Sequence, residues 1–282
     1  MTDGRLYRLA AFPVGDQGGN PAGVWIGASL PDPAYMQRIA NEVGYSETAF
    51  VAPESGDVRT IRYFSPRAEV SFCGHATIAA AVAIGHRDGA GRYRFSSLVG
   101  DVDVEVGEQS GRFVASLTSV EPRHEPASVA LIKEALALLG WRQEELDPSI
   151  PIAKAYAGAW HLVIAAGSEG RLANLDYAFD AMTTLMLREN LTTLQLVWRE
   201  RADLIHSRNP FPVGGVVEDP ATGAAAAALG GYLRDAGLLQ GEARLEIRQG
   251  EVMGRPSLLV VDVPASGGIK VSGAAIDIRQ GS

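Results

Sequence analysis

Two ionisable side chains, His75 and Asp219, each stand at the mouth of an alanine-rich run, and the runs lie about half the chain apart. The first segment is Cys73-Gly74-His75-Ala76-Thr77, leading into Ile78 to Ile84. The second is Asp219-Pro220-Ala221-Thr222-Gly223, leading into Ala224 to Ala228 and Leu229. Alanine is the best helix former, and a helix that is apolar all round must be buried on all sides. A helix N-terminus carries unpaired N–H groups and partial positive charge, which favour an anion. Two such termini, one per half-chain, point to two lobes with a site for an anionic ligand between them.

Each candidate has a plain structural reading beside the chemical one. Glu47 stands in Tyr45-Ser46-Glu47-Thr48-Ala49-Phe50-Val51, just beyond a helix stop at Gly44. A carboxylate at a loop-to-strand junction, flanked by apolar residues, can be desolvated enough to take and give a proton; on position alone a capping or surface Glu is the plainer reading. His75 is either a hydrogen-bonded structural residue or a proton-transfer and orienting group. Asp219 fits an N-cap, while Gly223 lets a ligand carboxylate approach backbone N–H groups. Cys73 is a candidate thiol nucleophile or base at a helix start, or an inert buried cysteine. A symmetric two-thiol racemase is excluded, because the chain has a single cysteine. His86, His124, His161 and His206 show no metal-ligand spacing, so no metal is expected.

The elements that must position these groups read as mixed. Alternation marks half-buried strands at Thr60–Phe64, Val102–Val106 and Leu245–Arg248, with more buried strands at His161–Ala165, Leu194–Trp198 and Leu258–Val263. Asp32 and Pro33 start a helix that ends before Gly44, and Ser128 caps Val129–Leu139 ahead of Gly140. A third helix is expected over Leu175–Arg188. Strands outnumber helices without regular alternation, and neither a dinucleotide fingerprint nor a phosphate loop occurs, so the class is α+β. A linker is expected at Ser119–Ala127. It divides a lobe at 1–120, carrying Glu47 and the Cys-Gly-His turn, from one at 121–282, carrying the Asp-Pro-Ala-Thr-Gly turn. The last strand is free to return to the first lobe.

Composition narrows the partners. Hydrophobic residues are 46% and charged residues 21% of 282, ordinary values for a soluble globular enzyme. A formal net charge of −8 argues against nucleic-acid or acidic-membrane partners, which need a basic surface. One cysteine excludes an intramolecular disulfide and a cysteine-rich metal site. Met1-Thr2-Asp3-Gly4-Arg5 lacks the pattern of a secretory signal, and no apolar run of about 20 residues is present. A cytoplasmic protein is expected.

Six stretches taken together resemble the phenazine-biosynthesis (PhzF-like) isomerase family, relatives of diaminopimelate epimerase and proline racemase. They are Gly18 to Val24, Ser46 to Val51, Phe64 to Val70, Cys73 to Thr77, Glu218 to Gly223 and Gln249 to Ser257, in the family's order. The resemblance implies two similar lobes, each a curved, mostly antiparallel sheet wrapped around a central helix, with the active site in the cleft between them. It implies a homodimer, no cofactor and a small carboxylate-bearing substrate. The family's general acid/base glutamate maps onto Glu47, its first-lobe turn onto Gly74 and His75, and its second-lobe aspartate onto Asp219. Ser46, Gly74, Thr222, Gly223 and Ala224 would then surround the substrate. The family commonly has a serine where this chain has Ala224, so a backbone N–H is kept and a hydroxyl is lost. The leading expectation is a cofactor-independent isomerase that shifts a proton through Glu47. The alternatives are an epimerase or racemase that pairs Cys73 with a carboxylate, and a non-catalytic small-molecule binder.

Overall fold

Gly74–Asp88 and Gly223–Asp235 are helices, and their small side chains are buried in unbroken runs, from His75 to Gly85 and from Ala225 to Leu233. A helix with no polar face has nowhere to meet water, so strands must enclose it. The computed structural model describes residues 3–55 and 58–278; Met1 and Thr2, part of the N-terminal stretch read above, lie outside the described residues. The chain divides into two compact units, Met1–Thr118 with Ser272–Ser282, and Ser119–Val271.

In the first unit β1 (Gly4–Ala11) runs antiparallel to β2 (Asn20–Gly27). Helix α1 (Pro33–Val43) crosses to β3 (Glu47–Ser55), which lies parallel to β2, and β4 (Val58–Phe64) returns antiparallel. The short β5 (Glu69–Val70) and the buried helix α2 (Gly74–Asp88) cross to β6 (Gly91–Ser97), parallel to β4. The antiparallel strands β7 (Gly100–Gln109) and β8 (Arg112–Thr118) follow. The last strand, Lys270–Asp277, pairs with both β8 and β1, which closes an eight-stranded barrel. Helix α2 packs on β1, β2, β3, β7 and β8.

The second unit repeats this plan. β9 (Arg123–Pro126) pairs antiparallel with β10 (Ala153–Tyr156), after α3 (Val129–Leu139), and β10 pairs antiparallel with β11 (Trp160–Ala165). Helices α4 (Glu169–Ala173) and α5 (Phe179–Arg188) cross to β12 (Thr193–Arg201), parallel to β11. β13 (Leu204–Phe211) returns antiparallel. Then β14 (Val216–Asp219) and the buried helix α6 (Gly223–Asp235) cross to β15 (Ala243–Gln249), parallel to β13, and β16 (Ser257–Val263) completes the order. Helix α6 packs on β9, β10, β11 and β16. The two alanine-rich runs are thus the same element of a repeated plan. Each is the helix of the second parallel crossover in its unit, and a parallel pair needs such a crossover. The class is α+β.

Local signals set most boundaries. Asp32 accepts a hydrogen bond from Tyr35 N at 2.9 Å, and Gly44 ends α1 in the left-handed region. Ser128 accepts one from Leu131 N at 3.1 Å. Three expectations need correction. The helix expected from Leu175 begins at Phe179, because Leu175 and Tyr177 approach α5 as non-helical chain packed on the layer formed by α3, α5, β11 and β12. The expected linker Ser119–Ala127 contains β9, whose pairing with β10 overrides its prolines. Asp219 is not the cap of α6: β14 ends at Asp219, and Thr222 holds the N-cap position. Among the described residues no helix is long and apolar enough to cross a membrane.

His161 on β11 lies wholly inside the second unit, with Nδ1 2.8 Å from Thr193 Oγ1. Burial pushes its imidazole down to about 3. The unfolded chain therefore takes up a proton below about 6.5 that the folded chain refuses, so this contribution to stability is whole above that pH and falls away as pH drops toward 3. The expected slope is about 1.4 kcal/mol per pH unit from this residue. Urea unfolding of the wild type and His161→Gln between pH 4 and 7 should show a shallower acid decline in the variant.

Candidate functional site

The start of β3 and the start of α2 bring four polar side chains of the first unit together. Register places Glu47 beside Ala22 and Thr48 beside Gly23 of β2. A methyl group at Gly23 would meet Thr48 Oγ1 at 2.5 Å and Cγ2 at 2.8 Å, so glycine is what lets β2 hold β3 this closely next to Glu47. On the helix side, Cys73 is extended and Gly74 opens α2. Thr77 Oγ1 donates back to Cys73 O at 2.7 Å, and the buried Tyr63 hydroxyl on β4 meets the same Thr77 Oγ1 at 2.6 Å. Burial pushes the Tyr63 phenol well above its usual range, so it stays protonated and serves as a fixed strut.

The histidine is the hub. His75 Nε2 lies 3.5 Å from Glu47 Oε2 and 3.5 Å from Ser46 Oγ, and Nδ1 lies 3.3 Å from Cys73 Sγ. The His75 side chain is 8% exposed and that of Glu47 17%, so the pair is shielded while the carboxylate stays reachable. In the neutral ring this network is satisfied when Nε2–H points to the Glu47 carboxylate and Nδ1 accepts the Cys73 thiol proton. Separations slightly beyond an ideal hydrogen bond are usual before a substrate tightens a proton-transfer site. A side chain added at Gly74 would meet only Phe72 Cε1, at 4.0 Å, so no neighbour within the protein requires glycine there.

The remaining expected residues gather in the second unit. Thr222 Oγ1 donates to Asp219 Oδ2 at 2.5 Å, and Gly223 and Ala224 open α6, both half-buried. Two supports hold this turn. Arg208 clamps the buried Glu218 through Nε at 3.0 Å and Nη2 at 2.5 Å, next door to Asp219. Gln249, at the end of β15, accepts from Thr222 N at 3.1 Å while its amide donates to Asp219 O at 2.6 Å and to Thr222 Oγ1 at 3.1 Å. Gly250 follows at a φ of +74°, and a methyl there would lie 2.8 Å from Pro220 O. The structure therefore groups Ser46, Glu47, Gly74 and His75 in one unit and Asp219, Thr222, Gly223 and Ala224 in the other.

Tyr63, Arg208 and Gln249 were not singled out as supports. Gln249 did carry a signal, since it opens one of the six matching stretches. Tyr63 and Arg208 carried none, because their roles depend on contacts with residues distant in sequence.

The PhzC-PhzF family pattern, described as phenazine biosynthesis-like protein, matches residues 9–281. Among curated relatives, the trans-2,3-dihydro-3-hydroxyanthranilate isomerase of Pseudomonas fluorescens is 32% identical over 86% of this chain and 84% of its own. An uncharacterized isomerase of Bacillus subtilis (strain 168) is 27% identical over 98% of this chain and 97% of its own. A crystal structure of a Bacillus anthracis phenazine biosynthesis protein of the PhzF family aligns with a TM-score of 0.88 at 22% identity, covering 99% of this chain and 98% of that one. That likeness speaks for the fold.

Gln249→Leu removes three hydrogen bonds to half-buried groups of Asp219 and Thr222, a loss of about 1–3 kcal/mol in all. A loss of stability in that range is expected in urea unfolding, with the secondary structure by circular dichroism unchanged. A neutral Gln249→Leu would mean that the turn is held by other contacts.

Proposed function

This chain belongs to the PhzC-PhzF family of phenazine biosynthesis-like proteins, and from that premise we propose that it is a cofactor-independent isomerase acting on a small carboxylate-bearing metabolite. The observation that carries the reading is the shielded Glu47–His75 pair at the mouth of α2. Glu47 takes a proton from carbon and returns it at another position of an allylic system. His75 orients the carboxylate of Glu47 or relays its proton. The N–H groups at the start of α2, near Gly74, hold the substrate carboxylate and any developing oxyanion as preorganised donors. In the same reading Asp219 orients substrate or relays a proton, and amides near Gly223 and Ala224 supply further donors; family membership supports this part. The Pseudomonas fluorescens relative is named as an isomerase of trans-2,3-dihydro-3-hydroxyanthranilate, a carboxylate, which fits the substrate class. The Ala224 position, without a hydroxyl, is where the preferred substrate would differ from those of relatives that have serine.

A second reading is favoured by one distance. Cys73 Sγ lies 3.3 Å from His75 Nδ1, close enough for a thiol to act as one base in an epimerisation at a single carbon, with Glu47 as the other.

Incubation with trans-2,3-dihydro-3-hydroxyanthranilate and a panel of small unsaturated carboxylates in deuterium oxide, followed by proton NMR, tests both readings. Glu47→Gln is expected to fold normally and to lose deuterium incorporation by about 10²–10⁴-fold, the usual cost of a positioned acid/base. Incorporation at the wild-type rate in a folded variant would sink the assignment of Glu47. Cys73→Ser separates the readings: the thiol epimerase loses exchange in that variant, whereas the carboxylate isomerase keeps exchange that depends on Glu47.

A further inference from the structure

A layer of uncharged polar side chains lies inside the second unit, beside the turn that opens α6. His161, Thr193, Gln195, Ser207, Asn209 and Gln249 are each no more than 3% exposed. Leu162, Ile164, Leu194 and Leu196 pack with the side chains of α3 and α5. Strand alternation therefore turns His161, Thr193 and Gln195 the other way, to the side where α6 packs on β11. Register sets Asn209 beside Asp219 and Ser207 beside Gln249. Hydrogen bonds link four of the six. Ser207 Oγ donates to Asn209 Oδ1 at 2.8 Å, Asn209 Nδ2 donates to Thr193 Oγ1 at 3.1 Å, and Thr193 Oγ1 meets His161 Nδ1 at 2.8 Å. Beyond that point His161 Nε2 and both ends of the Gln195 carboxamide are buried with no partner among the described residues. The imidazole is neutral, since burial pushes it down to about 3. Thr193 accepts from Asn209, so its own hydrogen serves Nδ1 and the ring proton belongs on Nε2.

Gln195 stands beyond Thr193 on the same face, about 6.6 Å along β12 and diagonal to His161. Buried polar groups are almost always satisfied, and where protein partners are missing an ordered water supplies the bonds, held by about two to four polar groups. We propose that the second unit holds one ordered water, accepting from His161 Nε2–H and hydrogen-bonded to the Gln195 carboxamide, and that this water completes a brace for the Asp219–Thr222 turn. A lining that is neutral throughout suits water and not an ion. The brace reaches the turn along two ladder pairs. Asn209 pairs with Asp219, and Ser207 pairs with Gln249, whose amide holds Asp219 O and Thr222 Oγ1. His161 and Gln195 are then positioning residues. The water is independent of any catalytic role of Asp219.

A high-resolution crystal structure of the wild-type chain tests the water directly: density is expected within about 3.2 Å of both His161 Nε2 and the Gln195 carboxamide. In protein labelled with ¹⁵N-histidine the matching signature is a neutral ring protonated on Nε2, with a rotating-frame Overhauser cross-peak from that proton to bound water. A direct His161–Gln195 hydrogen bond in the crystal, or no density at the bridge, overturns the water. The brace is read by amide hydrogen exchange in Gln195→Met, whose apolar side chain of similar length cannot hold the water. Exchange at Thr222 N, which donates to Gln249 Oε1, should rise about tenfold, the worth of one hydrogen bond, while amides of α3 keep their wild-type rates. His161→Phe is the second variant and should act likewise. Thr222 exchange unchanged in a folded variant leaves the water standing and overturns the brace. An equal rise across α3 also overturns the brace, since the loss is then global.

Discussion

A helix with no polar face is the constraint from which the rest of this structure follows. Helices α2 and α6 are built of alanine, glycine and a few β-branched or larger apolar residues, buried along most of their length. Neither can be stable against water on any side, so each unit must surround its helix with strands. Small side chains are what make that enclosure possible, since a helix of leucines would not fit inside a narrow barrel at native packing density. The parallel pairs β4–β6 and β13–β15 are the topological consequence, because a parallel pair needs a crossover, and here the crossover runs through the interior.

Enclosure also explains where chemistry can sit. The body of such a helix is sealed, and only its first turn, with its unpaired N–H groups, can face a ligand. In the first unit that turn carries Cys73, Gly74 and His75, and the entry into β3 delivers Ser46 and Glu47 to the same place. In the second it carries Thr222, Gly223 and Ala224, with Asp219 delivered by β14. Both turns are braced by polar cross-links from neighbouring strands, a buried one from Tyr63 to Thr77 and half-buried ones from Gln249 to Thr222 and Asp219. The braces tie each turn to its neighbouring strands.

Much of the fold was legible before any coordinates. Asp32, Pro33 and Gly44 bounded α1, and Ser128 with Gly140 bounded α3, because capping is a local interaction between a side chain and N–H groups two or three residues away. Alternation located strands at Thr60–Phe64 and Val102–Val106 for an equally local reason. The failures were non-local. Leu175–Ala178 carries helical residue types but is drawn into an irregular path against the α3–α5 layer, and Arg123–Pro126 becomes a strand because β10 lies alongside. Asp219 has the residue type of an N-cap and instead ends a strand, three residues ahead of the cap position.

The sequence by itself determined the class of the protein: two alanine-rich helices that must be enclosed, an anion-favouring turn before each, and motif stretches in the order of one family. Those properties follow from residue type and short spacing, which the chain carries with it. Only the tertiary structure decided that Glu47, Ser46 and Cys73 converge on the two nitrogens of one imidazole, and that Gln249 ties Asp219 to Thr222. Positions 47 and 75 are brought together by the β2–β3–β4 register and the path of α2. A side-chain contact set by that register is a property of the closed barrel, which exists only once every strand has found its partner.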